Sequence, residues 1–294
     1  MLQRSLSFFS TALFLALTSS PARAQITHLE CFMDGSQEIP PVVTPATGRA
    51  DYILNTANHT LKYSVSFSGL TANQNGAHLH NTSTTGIVWG LPLGSPIFGS
   101  LATNATNEAL ALSPNGTYTN IHTTANPGGE IRGTNVLAPP VGTKMCFGDG
   151  TSGPCPCGNT GAVGKGCQNE LGNGGALLEA TGHVSPDNVV MITTGTRPTS
   201  LTILMQGNVM IAPANFGDGI RCLNGIKRLS TKTATSGASA YPEGAELSIT
   251  ARAAQLNQPN PPGSTRWYQS YYRDGQPFCT AETFNSTNMV EITW

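Results

Sequence analysis

The residues with the plainest chemical potential are His78 and His80, separated only by Leu79, and His122. In an extended chain, residues two apart project from one face about 6.5 to 7 Å apart, close enough for two imidazoles to converge on one ion. His122 completes a three-nitrogen set if its strand runs beside theirs. Imidazole nitrogen suits zinc or copper, and three protein ligands leave a position for water or a fourth group. Glu130 is the acid that offers itself as a base or outer partner, and Arg132, two residues on, is expected to pair with it across the same strand face. The bland alternative is that the three histidines decorate a wet strand face beside Asn120. His28, His59 and His183 have no comparable spacing and read as ordinary surface histidines.

Cysteine is the second chemical resource. Of seven cysteines, Cys31 stands alone near the start, and Cys146, Cys155, Cys157, Cys167, Cys222 and Cys279 crowd the second half. The opening residues read as an export signal over 1–24: Arg4 gives a positive start, Leu6 to Leu17 an apolar run, and Ala22-Arg23-Ala24 a small-x-small cleavage site. The chain is therefore expected outside the cytoplasm, secreted or in the cell envelope (periplasm). In that oxidising setting the six later cysteines are disulfide candidates rather than zinc ligands. A Cys155 to Cys157 bridge is disfavoured because Pro156 stiffens a very small ring. Long-range closure through Cys222 and Cys279 is the better expectation, leaving Cys31 as a buried thiol or a link to the second domain.

Composition narrows what these groups belong to. Charged residues make up 11% of the chain and the formal net charge is −1, so no basic surface invites nucleic acid. After the signal, no stretch reaches the ~18 apolar residues of a membrane span. With 33 glycines and 20 prolines punctuating alternating segments, the fold class is all-β. Leu61, Tyr63, Val65 and Phe67 alternate with Lys62, Ser64, Ser66 and Ser68, the pattern of a strand with one buried and one wet face. Strands are expected over 48–54, 61–68, 76–80, 86–89, 109–112, 118–123 and 130–137 in the first half. The second half adds 176–180, 189–194, 200–206, 245–251, 267–272 and 289–294. The change in cysteine density and the pair Pro139-Pro140 divide the mature chain into a domain over 25–137, a linker over 138–145 and a cysteine-rich domain over 146–294. Both are expected to be β-sandwich or barrel-like, the second disulfide-linked. Trp267, Tyr268, Tyr271 and Tyr272 read as an aromatic core strand rather than a carbohydrate platform. Two Phe-Gly-Asp-Gly copies, at Phe147 and Phe216, read as turns without a bound ion.

Four landmarks in order carry a family resemblance: Gly35-Ser36-Gln37-Glu38-Ile39-Pro40-Pro41, Ala46-Thr47-Gly48, Ala77-His78-Leu79-His80, and the run from Ile121-His122 through Pro127-Gly128-Gly129-Glu130-Ile131-Arg132-Gly133. Together they resemble the chordin-type (CHRD) domain, over roughly residues 29 to 136. The resemblance implies an extracellular module and, as in some CHRD domains, metal held by these histidines. The Cys155-Pro156-Cys157-Gly158-Asn159 stretch, with the later Phe216-Gly217-Asp218-Gly219 and Cys222, resembles C-terminal regions of uncharacterised exported bacterial proteins. The leading expectation is a non-enzymatic exported binding protein whose first domain holds zinc or copper through His78, His80 and His122. The alternatives are a metal-free adhesion or interaction module, with an extracellular protein or glycan as partner, and a hydrolytic or redox metalloenzyme using the open ligand position. No cofactor beyond the metal is expected, and no Gly-x-Ser-x-Gly or His-Glu-x-x-His motif occurs.

Overall fold

The computed structural model describes residues 26–275 and 278–294, so the export signal expected at 1–24 lies outside the described residues. The protein is mostly β. Its first half folds into β1 (Ile26–Asp34), β2 (Thr47–Asn55), β3 (Thr60–Ser68), β4 (Gln74–Asn81), β5 (Ile87–Gly90), β6 (Ile97–Ala102), β7 (Thr117–Thr123), β8 (Ile131–Thr134) and β9 (Val136–Leu137). These nine form one near-closed, barrel-like sheet in the order β5-β4-β7-β8-β1-β2-β3-β6, with β9 also on β1. The alternation in β3 does what it promises: Leu61, Tyr63 and Val65 are buried, and the lysine and serines between them face outward. With Leu29, Tyr52, Leu54, Ala77, Leu79 and Ile121 they fill the interior. Cys31 lies in that core, a free thiol that burial pushes up to about 12.

The second half contains β10 (Thr143–Met145), β11 (Leu177–Thr181), β12 (Val190–Thr194), β13 (Leu201–Gly207), β14 (Val209–Phe216), β15 (Gly219–Asn224), β16 (Lys227–Thr233), β17 (Ala238–Tyr241), β18 (Thr265–Arg273) and β19 (Phe284–Thr293). A five-stranded sheet, β10-β19-β18-β13-β16, packs against the three-stranded β11-β12-β17, with Leu178, Met191, Leu204, Tyr268, Val290 and Ile292 in the shared core. The opposite face of the larger sheet is covered too: Ile203, Met205 and Met289 pack with the β14-β15 hairpin residues Ile220 and Leu223 and with half-cystines. Disulfides join Cys146 to Cys222, Cys155 to Cys167 and Cys157 to Cys279. The segment from Cys146 to Ala176, which contains no strand, is thereby tied to the hairpin and to Cys279, ahead of β19. A bridge of this kind typically contributes ~2 to 4 kcal/mol. In the first Phe-Gly-Asp-Gly copy Asp149 accepts from Thr151 and Gly164, and in the second Asp218 accepts from Thr280.

Two expected strands are helices. Residues 109–112 belong to α1 (Ala105–Leu112), started by the Asn104 side chain accepting from the Asn107 N–H. Residues 249–251 of the expected 245–251 strand open α2 (Ile249–Gln255), where Ser248 caps the Ala251 N–H and Ile249 and Ala253 enter the core. Both segments are alanine-rich, and a side-chain cap at the entry decides in favour of helix. Of the four aromatics at 267–272, Tyr268 and Tyr272 are fully buried, and Trp267 and Tyr271 pack partly exposed against the half-cystine core.

Candidate metal centre

The pleat of β4 sends Ala77 and Leu79 into the barrel interior and therefore His78 and His80 to its outer face. Antiparallel pairing sets β7 alongside, with Gly76 opposite His122, His78 opposite Asn120 and His80 opposite Tyr118. The sequence spacing thus brings all three histidines together: ring centroids are 5.4 Å apart for His78 and His80, 4.9 Å for His78 and His122, and 5.7 Å for His80 and His122. One potential ligand atom from each lies within 4.8 Å of the other two. Gly76 makes the convergence possible, since a Cβ there would stand 3.0 Å from His78 Cε1 and 3.2 Å from His122 Cδ2.

Although on the outer face, the site is largely shielded: His80 is 7% and His122 9% exposed, and His78 is half-buried. Loops roof it and fix the rings. The His80 Nδ1–H donates to the Thr85 carbonyl at 2.8 Å, and the His122 Nδ1–H donates to the Pro127 carbonyl at 3.0 Å. Each bond leaves the opposite nitrogen, Nε2, with a free lone pair, the tautomer a metal requires. Those two nitrogens and His78 Nδ1 are buried without a partner. An orphaned polar atom is expensive, and three on convergent rings is the arrangement a cation would satisfy. Burial, reinforced by the neighbouring His80, lowers His78 below the ordinary imidazole value. Burial also lowers His122, with His78 and His80 acting in the same direction against the Pro127 bond. Neutral imidazoles are therefore favoured, as coordination needs. The donor set fits zinc or copper.

Around the histidines the structure differs from the expected outer shell. Glu130 does not pair with Arg132: its carboxylate accepts from the Thr44 hydroxyl at 2.7 Å, the Thr71 N–H at 2.7 Å and the Thr123 hydroxyl at 2.8 Å. The residue precedes β8, so the strand alternation that would have placed it beside Arg132 has not begun. Burial opposes its charge, but these bonds together bring its carboxyl below the ordinary value. Arg132 instead lies 4.4 Å above the Tyr118 ring, and Tyr118 stacks on His80 at 5.0 Å. Glu38, from the turn after β1, is an acid on which the Arg132 charge acts. Its burial, partly offset by Arg132, pushes its carboxyl up to about 7. Glu38 Oε1 and Asn120 Oδ1 are both buried without partners, and each lies 2.4 Å from where a Cβ on Gly129 would stand. Sequence reasoning passed over Glu38, although it sits in the Gly35-to-Pro41 landmark.

A second cluster of ligand-type side chains has the opposite character. His28 is buried, not a surface residue, and lies with Glu30 and Asp51 on adjacent β1 and β2. Its Nε2–H donates to Asp51 Oδ1 at 3.2 Å, and its Nδ1 meets the Thr181 hydroxyl at 3.2 Å. Glu30 accepts from His183 Nε2–H at 2.8 Å and from Asn188 Nδ2–H at 2.6 Å. Asn188 also donates to Asp51, as does Arg49. His183 thus has a partner across the two halves, and the more exposed His59 meets Glu108 at 2.8 Å.

Residues 29–134 match the family model of the CHRD domain. No curated protein matches the chain.

Proposed function

Starting from the CHRD domain at residues 29–134, we propose that the protein is an exported, non-enzymatic binding protein whose first half holds one zinc or copper ion through His78, His80 and His122. The observation that carries this reading is the set of three buried, unpartnered imidazole nitrogens, two with their tautomer set by a carbonyl on the opposite nitrogen. Three nitrogen ligands would leave one position for water or for an atom of a partner. The ion would act as a Lewis acid there; the chain's own part is to orient the rings and exclude bulk water. No acid among the described residues reaches His78, His80 or His122 by a hydrogen bond. Three disulfides support an extracellular or envelope setting, and the domain limits 25–137 and 146–294 suit a metal-bearing module joined to a cross-linked one. No helix among the described residues is long and apolar enough to cross a membrane.

The test is metal content by mass spectrometry on the full processed chain, dialysed against zinc or copper, beside the triple variant His78→Ala/His80→Ala/His122→Ala. One equivalent in the parent and none in a variant that keeps its thermal transition supports the site. No metal in either leaves the interaction module as the reading to pursue.

A further inference from the structure

The second half carries a cavity of about 610 Å³, remote in sequence from the histidines, whose lining differs from the rest of this sparsely charged chain. Its floor is aromatic. Phe216 at the end of β14, Tyr271 on β18 and Phe284 at the start of β19 meet edge to face, with centroids 5.6, 4.9 and 5.9 Å apart. Three arginines line it: Arg221 from β15, Arg228 from β16 and Arg273 from β18. The Arg221 guanidinium carbon lies 5.1 Å from the Phe216 ring centre and that of Arg228 5.8 Å from the Tyr271 ring centre. Arg221 Nε is buried without a hydrogen-bond partner.

Elsewhere Arg49, Lys62, Lys144, Arg197 and Lys232 each meet a carboxylate, while Arg132 lies over the Tyr118 ring and Arg252 and Arg266 donate to backbone carbonyls. Among the described residues none of the three cavity arginines meets a carboxylate. The one acid on the lining, Glu282, is exposed and leaves the site with an excess of positive charge. Guanidiniums held over rings are oriented by cation–π contact, and their planar N–H forks match carboxylate or sulfate oxygens in pairs. A bare inorganic anion would fill little of this volume and would use none of the aromatic surface. A pyranose bearing an acid group uses both, its C–H face on the rings and its acid group on the arginines.

We propose that this cavity is a binding site for an acidic saccharide, a uronate- or sulfate-bearing sugar. It does not depend on the metal site. Calorimetric titration of the full, disulfide-intact chain with an oligogalacturonate, a sulfated oligosaccharide, a neutral oligosaccharide of equal length and inorganic sulfate tests it. Binding of either acidic sugar, weakened by added salt and exceeding that of the neutral sugar and of sulfate at least tenfold, is the expected result; the two acidic arms tell carboxylate from sulfate. Arg221→Gln/Arg228→Gln should lose at least tenfold in affinity while keeping the parent's thermal transition, and Lys144→Gln, one cation fewer elsewhere, should bind as the parent does. Equal binding of the neutral sugar, binding of sulfate alone, no binding of either acidic sugar, or loss with Lys144→Gln as large as with the arginine pair would overturn the proposal. Should the double variant fail to fold, Tyr271→Leu and Arg273→Gln, both on β18, serve singly, and unchanged affinity in both is equally fatal.

Discussion

Two clusters of metal-ligand side chains lie on the first-half sheet, and both pass a test of proximity: His78, His80 and His122 on β4 and β7, and His28, Glu30 and Asp51 on β1 and β2. They differ in what their lone pairs do. In the first, three ring nitrogens are buried with nothing to bond. In the second, both nitrogens of His28 and both oxygens of Glu30 have partners, and Asp51 Oδ1 accepts from His28, Arg49 and Asn188. Glu30 and Asp51 stand directly opposite in the β1-β2 register, a like-charge pair that would repel without those donors. Several donors come from residues 181–188, so this cluster is where the halves are tied together. The apolar residues Ile26 and Ile53 pack beside it on Val190, Ile192 and Ala240. Ligand-type residues in proximity are thus insufficient; vacancy of their lone pairs separates a metal site from a polar lock.

The strongest test of this distinction is His122→Ala. Changes to outer partners of a metal ligand already weaken binding ~10- to 100-fold, so removing a ligand should exceed about 100-fold, with little change in the stability of the metal-free protein. Competition titration against a chromogenic chelator reads this. Glu30→Ala should do the reverse: metal uptake unchanged, and unfolding free energy lowered by about 3 kcal/mol because the His183 and buried Asn188 donors lose their acceptor. Urea denaturation with disulfides intact measures that loss. If Glu30→Ala also abolishes metal uptake, the two clusters are not independent and the contrast fails.

Gly76→Ala should give a smaller effect. The added methyl would press on His78 Cε1 at 3.0 Å and His122 Cδ2 at 3.2 Å, so the rings must shift by a few tenths of an ångström. Roughly tenfold weaker binding with native-like stability is expected. No change would mean that the rings rearrange freely and that glycine at this position has a different purpose.

The legible and the illegible parts of this protein divide along a physical line. The strands with strict alternation, such as Leu61 to Phe67, were readable because pleat and burial are local. So was the convergence of His78 and His80, since residues two apart must share a face. The short apolar runs at 109–112 and 245–251 read as strands but lie in or run into the helices Ala105–Leu112 and Ile249–Gln255, whose capping residues Asn104 and Ser248 are visible in the sequence. The roof over the histidines was beyond reading because Thr85 and Pro127 contribute backbone carbonyls, which any residue could supply. The burial of His28 is illegible for the same kind of reason: it comes with a contact between halves more than 150 residues apart, which no periodicity encodes. Glu38 was illegible because the space its Oε1 occupies exists only where Gly129 lacks a side chain, a position 91 residues away.

Glu38 extends the comparison to a pair of buried glutamates. Glu30 has a donor on each oxygen; Glu38 has an orphaned Oε1, and burial holds its carboxyl at about 7 against an ordinary 4.5. Between those two values the folded chain binds the proton and the unfolded chain does not. Stability from this group therefore decreases as pH rises from 4.5 to about 7 and is level above it. Glu38→Gln keeps the neutral shape at every pH, so the variant should match the parent near pH 4.5 and exceed it at pH 8. Thermal transitions of metal-free parent and variant across that range check it: the difference should open with rising pH. A gap that is constant with pH, or that opens toward acid, would show that Glu38 is ionised and paired in the fold, like Glu30, and would remove the second half of the contrast.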